Sequence, residues 1–156
     1  APIVQMADLP RIPKGLASGV FDEEGVETQT RDIVKDGVVQ GYFLGSYSAR
    51  KLGMQTTGNG GGSHNLVLAH GADDLPALLR RMDRGLLVTE QLGQGVNPVT
   101  GDFSRGVAGF WVEHGVIAYP VEEITIAGNL RDMFRDIVAV GNTGSILVGR
   151  MTVAGR

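Results

Sequence analysis

The residues best suited to binding chemistry lie in one glycine-rich stretch, 46–66, which reads SYSARKLGMQTTGNGGGSHNL. It combines a guanidinium at Arg50, an amide at Asn59 and an imidazole at His64 with closely spaced glycines, among them Gly60. Glycine allows positive φ angles and a close approach of other backbone, and binding groups concentrate on loops held by a rigid scaffold. Arg50, Asn59, Gly60 and His64 are therefore our candidate substrate-binding residues. The alternative is that the stretch is only a compact turn packed against a sheet.

Two known phosphate-binding motifs resemble this stretch in composition, and neither fits it. A P-loop requires a lysine followed by serine or threonine after its glycines, and no such pair is present. A dinucleotide-binding fingerprint is followed by a helix, whereas the apolar run 66–69, typical of a strand, follows these glycines. The stretch therefore does not predict a phosphate site.

Residues for a self-contained catalytic centre are also missing from the sequence. The chain has no cysteine, and its histidines, His64, His70 and His114, form neither an H-E-x-x-H motif nor a pair on one helix face. No G-x-S-x-G motif marks a nucleophilic serine. The neighbouring carboxylates Glu122 and Glu123 lie in an apolar strand pattern, where successive side chains face opposite sides. We predict no catalytic residue and no metal ligand in this chain.

Bulk composition limits the class of protein. A chain of 156 residues fits a single domain, which we predict to span 1–156. The net charge of −3, without a basic run, argues against direct contact with nucleic acid or an anionic membrane. No apolar run approaches the ~18 residues of a membrane span, and no signal peptide is recognisable, so we expect a cytoplasmic protein. The chain starts at Ala1, without an initiator methionine, which indicates a processed, trimmed or partial polypeptide.

Turn residues predict two hairpins. Asp36-Gly37 separates the apolar runs 26–35 and 38–44, and His114-Gly115 separates 106–113 and 116–121. Both pairs tolerate the positive φ angles of a two-residue hairpin turn. Pro120 indicates an edge position or a break in the strand that follows the second turn.

Helical periodicity is weaker and appears twice. Asp73 and Asp74 precede an apolar stripe that we expect to end at Gly85, and Asn129 precedes a stripe that reaches Ile137. A short helical turn over 49–51, capped by a serine at 46 or 48 and ended by Gly53, comes before the glycines. With further strands at 3–6, 66–70, 86–90, 123–127, 145–148 and 151–154, these elements predict an α+β fold. We expect two main helices, glycine-rich loops and a mixed or mostly antiparallel sheet of about eight or nine strands.

Three blocks of sequence resemble the C-terminal region of the TldD/PmbA family, also known as modulators of DNA gyrase. They are the stretch 46–66, the block GLLVTEQLGQGVNPVTGDFSRGVAGFWVEHGVIAYPVEEITIAGNLRDMF and the closing GSILVGRMTVAG. The resemblance begins near Pro10 and covers nearly the whole chain. It departs from the family pattern after Asn142, where relatives continue with a longer loop. The N-terminal domain of full-length relatives is missing from this sequence.

The resemblance implies a function that the residues alone do not. Family members form a cytoplasmic zinc metallopeptidase of two related subunits, which enclose a cavity and act on unfolded peptides in peptide maturation and antitoxin turnover. The zinc belongs to the TldD-type subunit, which has an HExxxH helix and a cysteine ligand. The absence of cysteine places this chain with the PmbA (TldE) type, so we expect a non-catalytic subunit whose partner is a TldD-like subunit or a second copy. The alternative is a regulatory or scaffold protein that modulates DNA gyrase or another complex without peptidase activity.

Overall fold

A computed structural model describes residues 1–143, 146–148 and 152–155. The chain divides into two compact units, an N-terminal unit of residues 2–69 and a C-terminal unit of residue 1 with residues 70–156. All described strand pairs are antiparallel, and three helices accompany them. The predicted α+β class with a mostly antiparallel arrangement is confirmed, while the assignment of 1–156 to one domain stays a prediction.

The N-terminal unit is built on a four-stranded sheet with the order β3-β2-β1-β4. Its elements are β1 (Met6–Asp8), β2 (Arg31–Lys35), β3 (Val38–Val39), α1 (Ser46–Lys51) and β4 (Leu66–Leu68). Because β1 is hydrogen-bonded on both sides, its last residue, Asp8, lies between Arg31 of β2 and Leu66 of β4 and is completely buried. The sheet therefore places a carboxylate directly beside the start of β4, where the glycine-rich stretch ends.

The predicted hairpin of this unit is confirmed, although its strands are shorter than expected. Asp36 and Gly37 have φ angles of 51° and 73°, as a two-residue turn requires. β2 begins at Arg31 instead of residue 26, because the preceding residues pair with an earlier segment: the Asp22 N–H binds the Val26 carbonyl, and the Thr28 N–H binds the Val20 carbonyl. β3 ends at Val39 rather than residue 44.

Helix α1 forms where the sequence predicts a helical turn, but its cap differs. The N-cap is Gly45, which has no side chain with which to cap the helix, and Ser46, one of the predicted caps, hydrogen-bonds Glu24 instead. The helix ends as predicted, with Gly53 at a φ of 65° directly after the C-cap Leu52.

The C-terminal unit contains a four-stranded sheet with the order β10-β7-β6-β5 and a two-stranded sheet, β8-β9. Its elements are α2 (Leu75–Met82), β5 (Gly85–Leu92), β6 (Asp102–Glu113), β7 (Val116–Asn129), α3 (Leu130–Arg135), β8 (Ile137–Val140), β9 (Ile146–Val148) and β10 (Thr152–Gly155). The core of this unit forms where Phe103, Val107 and Ile126 pack together, with Leu130 and Met133 of α3 against them. The apolar stripe of a short helix thus covers the half of the long β6–β7 hairpin that lies away from its turn.

Two helix ends in this unit differ from the sequence prediction. Helix α2 ends at Met82, with Asp83 at a φ of 58° as its cap, because Gly85 already pairs with Val112 as the first residue of β5. Ile137, predicted in the last helical stripe, instead pairs with Val148 in the β8–β9 sheet. In both cases strand pairing takes residues that would otherwise extend the helix.

The two strands that close the chain join different sheets, β9 with β8 and β10 with β7. Their predicted first residues, Ser145 and Met151, lie outside the described residues, as does part of the loop after Asn142.

The second predicted hairpin and the edge position of Pro120 are also confirmed. His114 and Gly115 have φ angles of 52° and 73° and connect β6 with β7. Pro120 pairs with Phe110 of β6, and within the described residues β10 pairs only with residues 124–127 of β7. No helix in the described part of the chain is long and apolar enough to cross a membrane.

Candidate functional site

Carboxylates from two earlier segments hold the glycine loop, which we define as residues 58–64. Asp8, at the end of β1, accepts hydrogen bonds from Asn59 and His64. Asp22 accepts one from the backbone of Gly60. Glu24 accepts the N–H and the hydroxyl of Ser46, both at 2.6 Å, at the start of α1. Three of the four predicted site residues, Asn59, Gly60 and His64, are therefore brought together within the N-terminal unit.

Asn59 is the most thoroughly bonded of the candidate residues. Its Nδ2 donates to Asp8 Oδ2 at 2.8 Å and to the Gly62 carbonyl at 3.1 Å. Its Oδ1 accepts from Arg31 Nη1 at 3.0 Å and from Thr57 Oγ1 at 2.8 Å. The residue is only 5% exposed. Every hydrogen of the amide is used inside the protein, so Asn59 shapes the loop and has no free donor for a ligand.

Gly60 is also engaged by the protein itself. Its N–H donates to Asp22 Oδ2 at 2.7 Å, while Asp22 Oδ1 accepts the N–H groups of Glu24 and Val26, each at 2.9 Å. Burial acts to raise the pKa of Asp22, but these three N–H groups, together with nearby His64, leave the pKa below its ordinary value. The carboxylate therefore stays ionised, and the Gly60 amide is not free to bind a substrate.

Two other glycines of the loop have positive φ angles. A Cβ on Gly58, which has a φ of 68°, would lie 2.5 Å from the Glu27 carbonyl oxygen, so glycine is required there by both backbone conformation and close packing. Gly61 has a φ of 99°, and a Cβ there would meet only the exposed side chain of Glu23, which can move, so at this position the backbone conformation alone favours glycine. The contact at Gly58 is what the interpretation of a compact turn expects.

His64 has a different position from its neighbours because its side chain is only partly used. Its backbone N–H donates to Asp8 Oδ1 at 2.9 Å, and its Nδ1 lies 3.3 Å from Asp8 Oδ2. The Asp8 side chain is 1% exposed, whereas the His64 side chain is 13% exposed. The imidazole is thus held by one edge against a buried carboxylate, and part of the ring reaches the surface.

Arg50 lies outside this hydrogen-bonded group. Its side chain is exposed on α1 and makes no hydrogen bond or ion pair with residues that the structure describes. Ser46, through its hydroxyl and its N–H, lowers the pKa of Glu24, and the positive charge of Arg50 adds a smaller effect in the same direction. Arg50 is therefore a free cation beside the loop.

Sequence reasoning missed the three carboxylates. The role of Asp22 could be predicted in part from its neighbours, because residues 22–25 read DEEG. In turns, an aspartate side chain typically accepts the N–H of the residue two positions later, as Asp22 does from Glu24. Its bond to Gly60, however, spans 38 residues, and those of Asp8 to Asn59 and His64 span 51 and 56. No local pattern in one sequence reveals such contacts.

A second polar loop lies in the C-terminal unit and closes on itself. Asp102 accepts from Thr100 Oγ1 at 2.7 Å and from Asn129 Nδ2 at 3.3 Å, and both bonds lower its pKa. Asn97 Oδ1 accepts the N–H groups of Val99 and Thr100. An open cavity of about 390 Å³ lies between residues 94–97 and 102–104. Asn97 and Asp102 belong to the lining of this cavity, but the side-chain hydrogen bonds given above are made within the loop and its neighbour Asn129, which they stabilise.

The described residues do not fit a catalytic metal. They contain no group of three or more histidine, aspartate or glutamate side chains that could hold an ion. His70 and His114 are exposed, and the Nδ1 edge of His64 faces Asp8. We therefore derive no catalytic step through a metal in this chain.

Comparison with known proteins places the chain in a family. A family model described as the PmbA/TldA metallopeptidase C-terminal domain matches residues 1–155. Metalloprotease PmbA of Escherichia coli O157:H7 is 54% identical over an alignment of 156 positions that covers 94% of this chain and 35% of that protein. The crystal structure of a protein named as a modulator of a DNA gyrase, from Thermotoga maritima MSB8, superposes with a TM-score of 0.90 and 43% identity, covering 98% of this chain and 39% of that one.

TldE from Thermococcus kodakarensis gives a TM-score of 0.79 and 27% identity, covering 91% of this chain and 35% of that one. The chain thus spans little more than a third of each relative's length. The predicted resemblance is confirmed: the chain belongs to the PmbA/TldA metallopeptidase family and corresponds to its C-terminal domain.

Proposed function

We propose that this chain is the C-terminal domain of a non-catalytic, PmbA (TldE)-type subunit in a two-subunit metallopeptidase that cleaves unfolded peptides. The observation that carries the proposal is the match of residues 1–155 to a metallopeptidase C-terminal domain. The names of the relatives, metalloprotease PmbA and TldE, support the same assignment.

The metal in this proposal is zinc, and its ligands come from a TldD-like partner subunit in the cytoplasm. A catalytic zinc site needs three protein ligands that converge. The described residues contain no such group, which is consistent with zinc ligands that come from the partner subunit. The partner is a TldD-like subunit or, in a homodimer, a second copy of this chain.

Within this function, the glycine loop and Arg50 line the cavity where the peptide binds. The carboxylate contacts of Asn59 and Gly60 make the loop rigid, and a rigid loop loses little entropy when it binds a ligand. Arg50 has an exposed guanidinium that can hold a peptide carboxylate through paired hydrogen bonds, a geometry that lysine does not reproduce. His64 offers the exposed part of its ring.

The experiment measures cleavage of an unfolded peptide by the polypeptide that carries this domain, by a TldD-like subunit, and by the two together. We expect cleavage only by the mixture, and sedimentation should show a complex of the two chains. Arg50→Lys should raise KM for peptides with acidic side chains, and Arg50→Gln should do so at least as much. Cleavage by this polypeptide alone would contradict the proposal.

The second candidate function is regulation of DNA gyrase without peptidase activity. It is favoured by one observation, the name of the related Thermotoga maritima protein. A supercoiling assay with purified gyrase separates the two candidates. A change in supercoiling that depends on this polypeptide, with no peptide cleavage by the mixture, would favour regulation.

A further inference from the structure

The hydrogen atoms around Asp8 determine how the His64 ring is protonated. Asp8 Oδ2 lies 2.8 Å from Asn59 Nδ2 and 3.3 Å from His64 Nδ1. Asn59 Nδ2 also lies 3.5 Å from His64 Nδ1. Either Asn59 donates to the ring nitrogen, or the ring nitrogen donates to the carboxylate.

Counting donors separates these two arrangements. A side-chain amide nitrogen has two hydrogens. Those of Asn59 point to Asp8 Oδ2 and to the Gly62 carbonyl oxygen, at 2.8 Å and 3.1 Å. None is left for His64 Nδ1 at the longer distance of 3.5 Å. An ionised carboxylate only accepts hydrogen bonds, so the contact between Asp8 and His64 requires a hydrogen on Nδ1.

The other ring nitrogen is accessible. His64 Nε2 makes no hydrogen bond to the described residues. Among the described residues, one buried side-chain nitrogen or oxygen atom lacks a hydrogen-bond partner, and that atom is Arg105 Nε, not His64 Nε2. His64 Nε2 has no partner and is not a buried atom of this kind, so it belongs to the accessible part of a side chain that is 13% exposed.

We infer that Asp8 is a positioning residue that fixes neutral His64 in the Nδ1–H form, so that Nε2 presents a lone pair that accepts a backbone N–H of the peptide substrate. The peptide as ligand rests on the proposed function. The tautomer of His64 does not, because it follows from the contacts with Asp8 and Asn59. A histidine that donates through one nitrogen to a carboxylate has its other nitrogen oriented as an acceptor, the arrangement also used to orient histidine ligands and bases.

The charges around the ring argue against an anionic ligand and are compatible with a neutral donor. Asp8 contacts the ring, and Asp22 lies close enough for His64 to affect its pKa. Two carboxylates near the ring disfavour an anionic ligand at Nε2. A backbone N–H carries no net charge, and an extended peptide offers one at every residue except proline.

The tautomer is tested by ¹⁵N NMR of the labelled chain above the titration range of His64. We expect Nδ1 with the chemical shift of a protonated nitrogen and Nε2 with that of an unprotonated one. Asp8→Asn should move the ring toward the Nε2–H form. A wild-type spectrum with the hydrogen on Nε2 would overturn the inference, whether or not the Asp8 variant folds.

Peptide binding is tested by titration of the same sample and by kinetics of the two-subunit complex. An unfolded peptide should shift the Nε2 resonance of His64. His64→Asn leaves a donor for Asp8 but has no atom at the Nε2 position, so it should raise KM by about threefold to tenfold, the effect of one neutral hydrogen bond. In the wild-type complex, N-methylation of the peptide amide that binds Nε2 should weaken binding as much as His64→Asn does. In the His64→Asn complex, the same N-methylation should have no further effect.

The outcomes of these tests distinguish the inference from the proposed function. An Nε2 resonance unmoved by millimolar peptide, or a KM unchanged in His64→Asn, would overturn the inference and leave the proposed peptidase intact. A complex that cleaves no peptide while Nε2 still responds to one would overturn the proposed function instead.

Discussion

Replacing Asn59 with alanine tests whether the glycine loop is held by the buried carboxylate network. The substitution removes the donor to Asp8 and the donor to the Gly62 carbonyl. It also removes the acceptor that Arg31 and Thr57 share. Asp8 is completely buried, so water cannot readily replace the lost donor.

The magnitude follows from the kinds of hydrogen bond that are lost. A hydrogen bond to a charged group contributes about 1.5–3 kcal/mol, and one between neutral groups about 0.5–1.5 kcal/mol. In the variant, Asp8 still accepts the His64 N–H, and Arg31 still donates to the Tyr42 carbonyl. These remaining hydrogen bonds limit the loss of stability. We therefore expect Asn59→Ala to lower the free energy of unfolding of the N-terminal unit by about 2–4 kcal/mol.

Native-state hydrogen exchange, followed by mass spectrometry on peptides from residues 2–69, measures this quantity in the unit concerned. Asn142→Ala is the matched control, because Asn142 is exposed in the C-terminal unit. Arg50→Ala is the control within the N-terminal unit, and both should stay within about 0.5 kcal/mol of wild type. An Asn59→Ala protein as stable as these controls would refute the assignment of Asn59 to a buried network.

Three further predictions concern the loop and the metal. In urea unfolding, Gly58→Ala should destabilise the N-terminal unit more than Gly53→Ala. Both glycines have positive φ angles, but a Cβ on Gly53 meets nothing within 4 Å. Equal losses of stability would contradict the close contact at Gly58. Hydrogen bonds lower the folded-state pKa of Glu24, so its stabilisation is complete above its unfolded pKa of about 4.3 and is lost as the pH falls through the folded value. The urea midpoint should therefore fall less steeply in Glu24→Gln than in wild type below about pH 5, and parallel profiles would be the contrary result. Elemental analysis of the isolated chain should find no stoichiometric zinc, and one tightly held zinc per chain would disprove this.

Local signals predict the parts of this fold that depend on neighbouring residues. The turns at Asp36-Gly37 and His114-Gly115 require residues that tolerate positive φ, and the structure has both. Pro120 cannot donate a ladder hydrogen bond, and it lies where β7 has β6 on one side only among the described residues. The predicted ends of the second and third helices were wrong because pairing with distant strands decides where they stop, as Gly85 with Val112 does for α2.

The candidate site was predictable only in part for the same reason. The composition of the stretch 46–66 indicates an unusual loop, and three of its four candidate residues lie together. The partners that give them their roles are Asp8 and Asp22, which are 51 and 38 residues away from Asn59 and Gly60. Their identity depends on the sheet register that places the end of β1 beside the start of β4.

The most direct test of the account is peptide cleavage by the polypeptide that carries this domain, mixed with a TldD-like subunit, with zinc content determined for each. We predict cleavage by the mixture alone, zinc that purifies with the TldD-like subunit, and a raised KM in the mixture that carries His64→Asn. Cleavage by the TldD-like subunit that is unaffected by this polypeptide, or zinc that purifies with this polypeptide, would contradict the account.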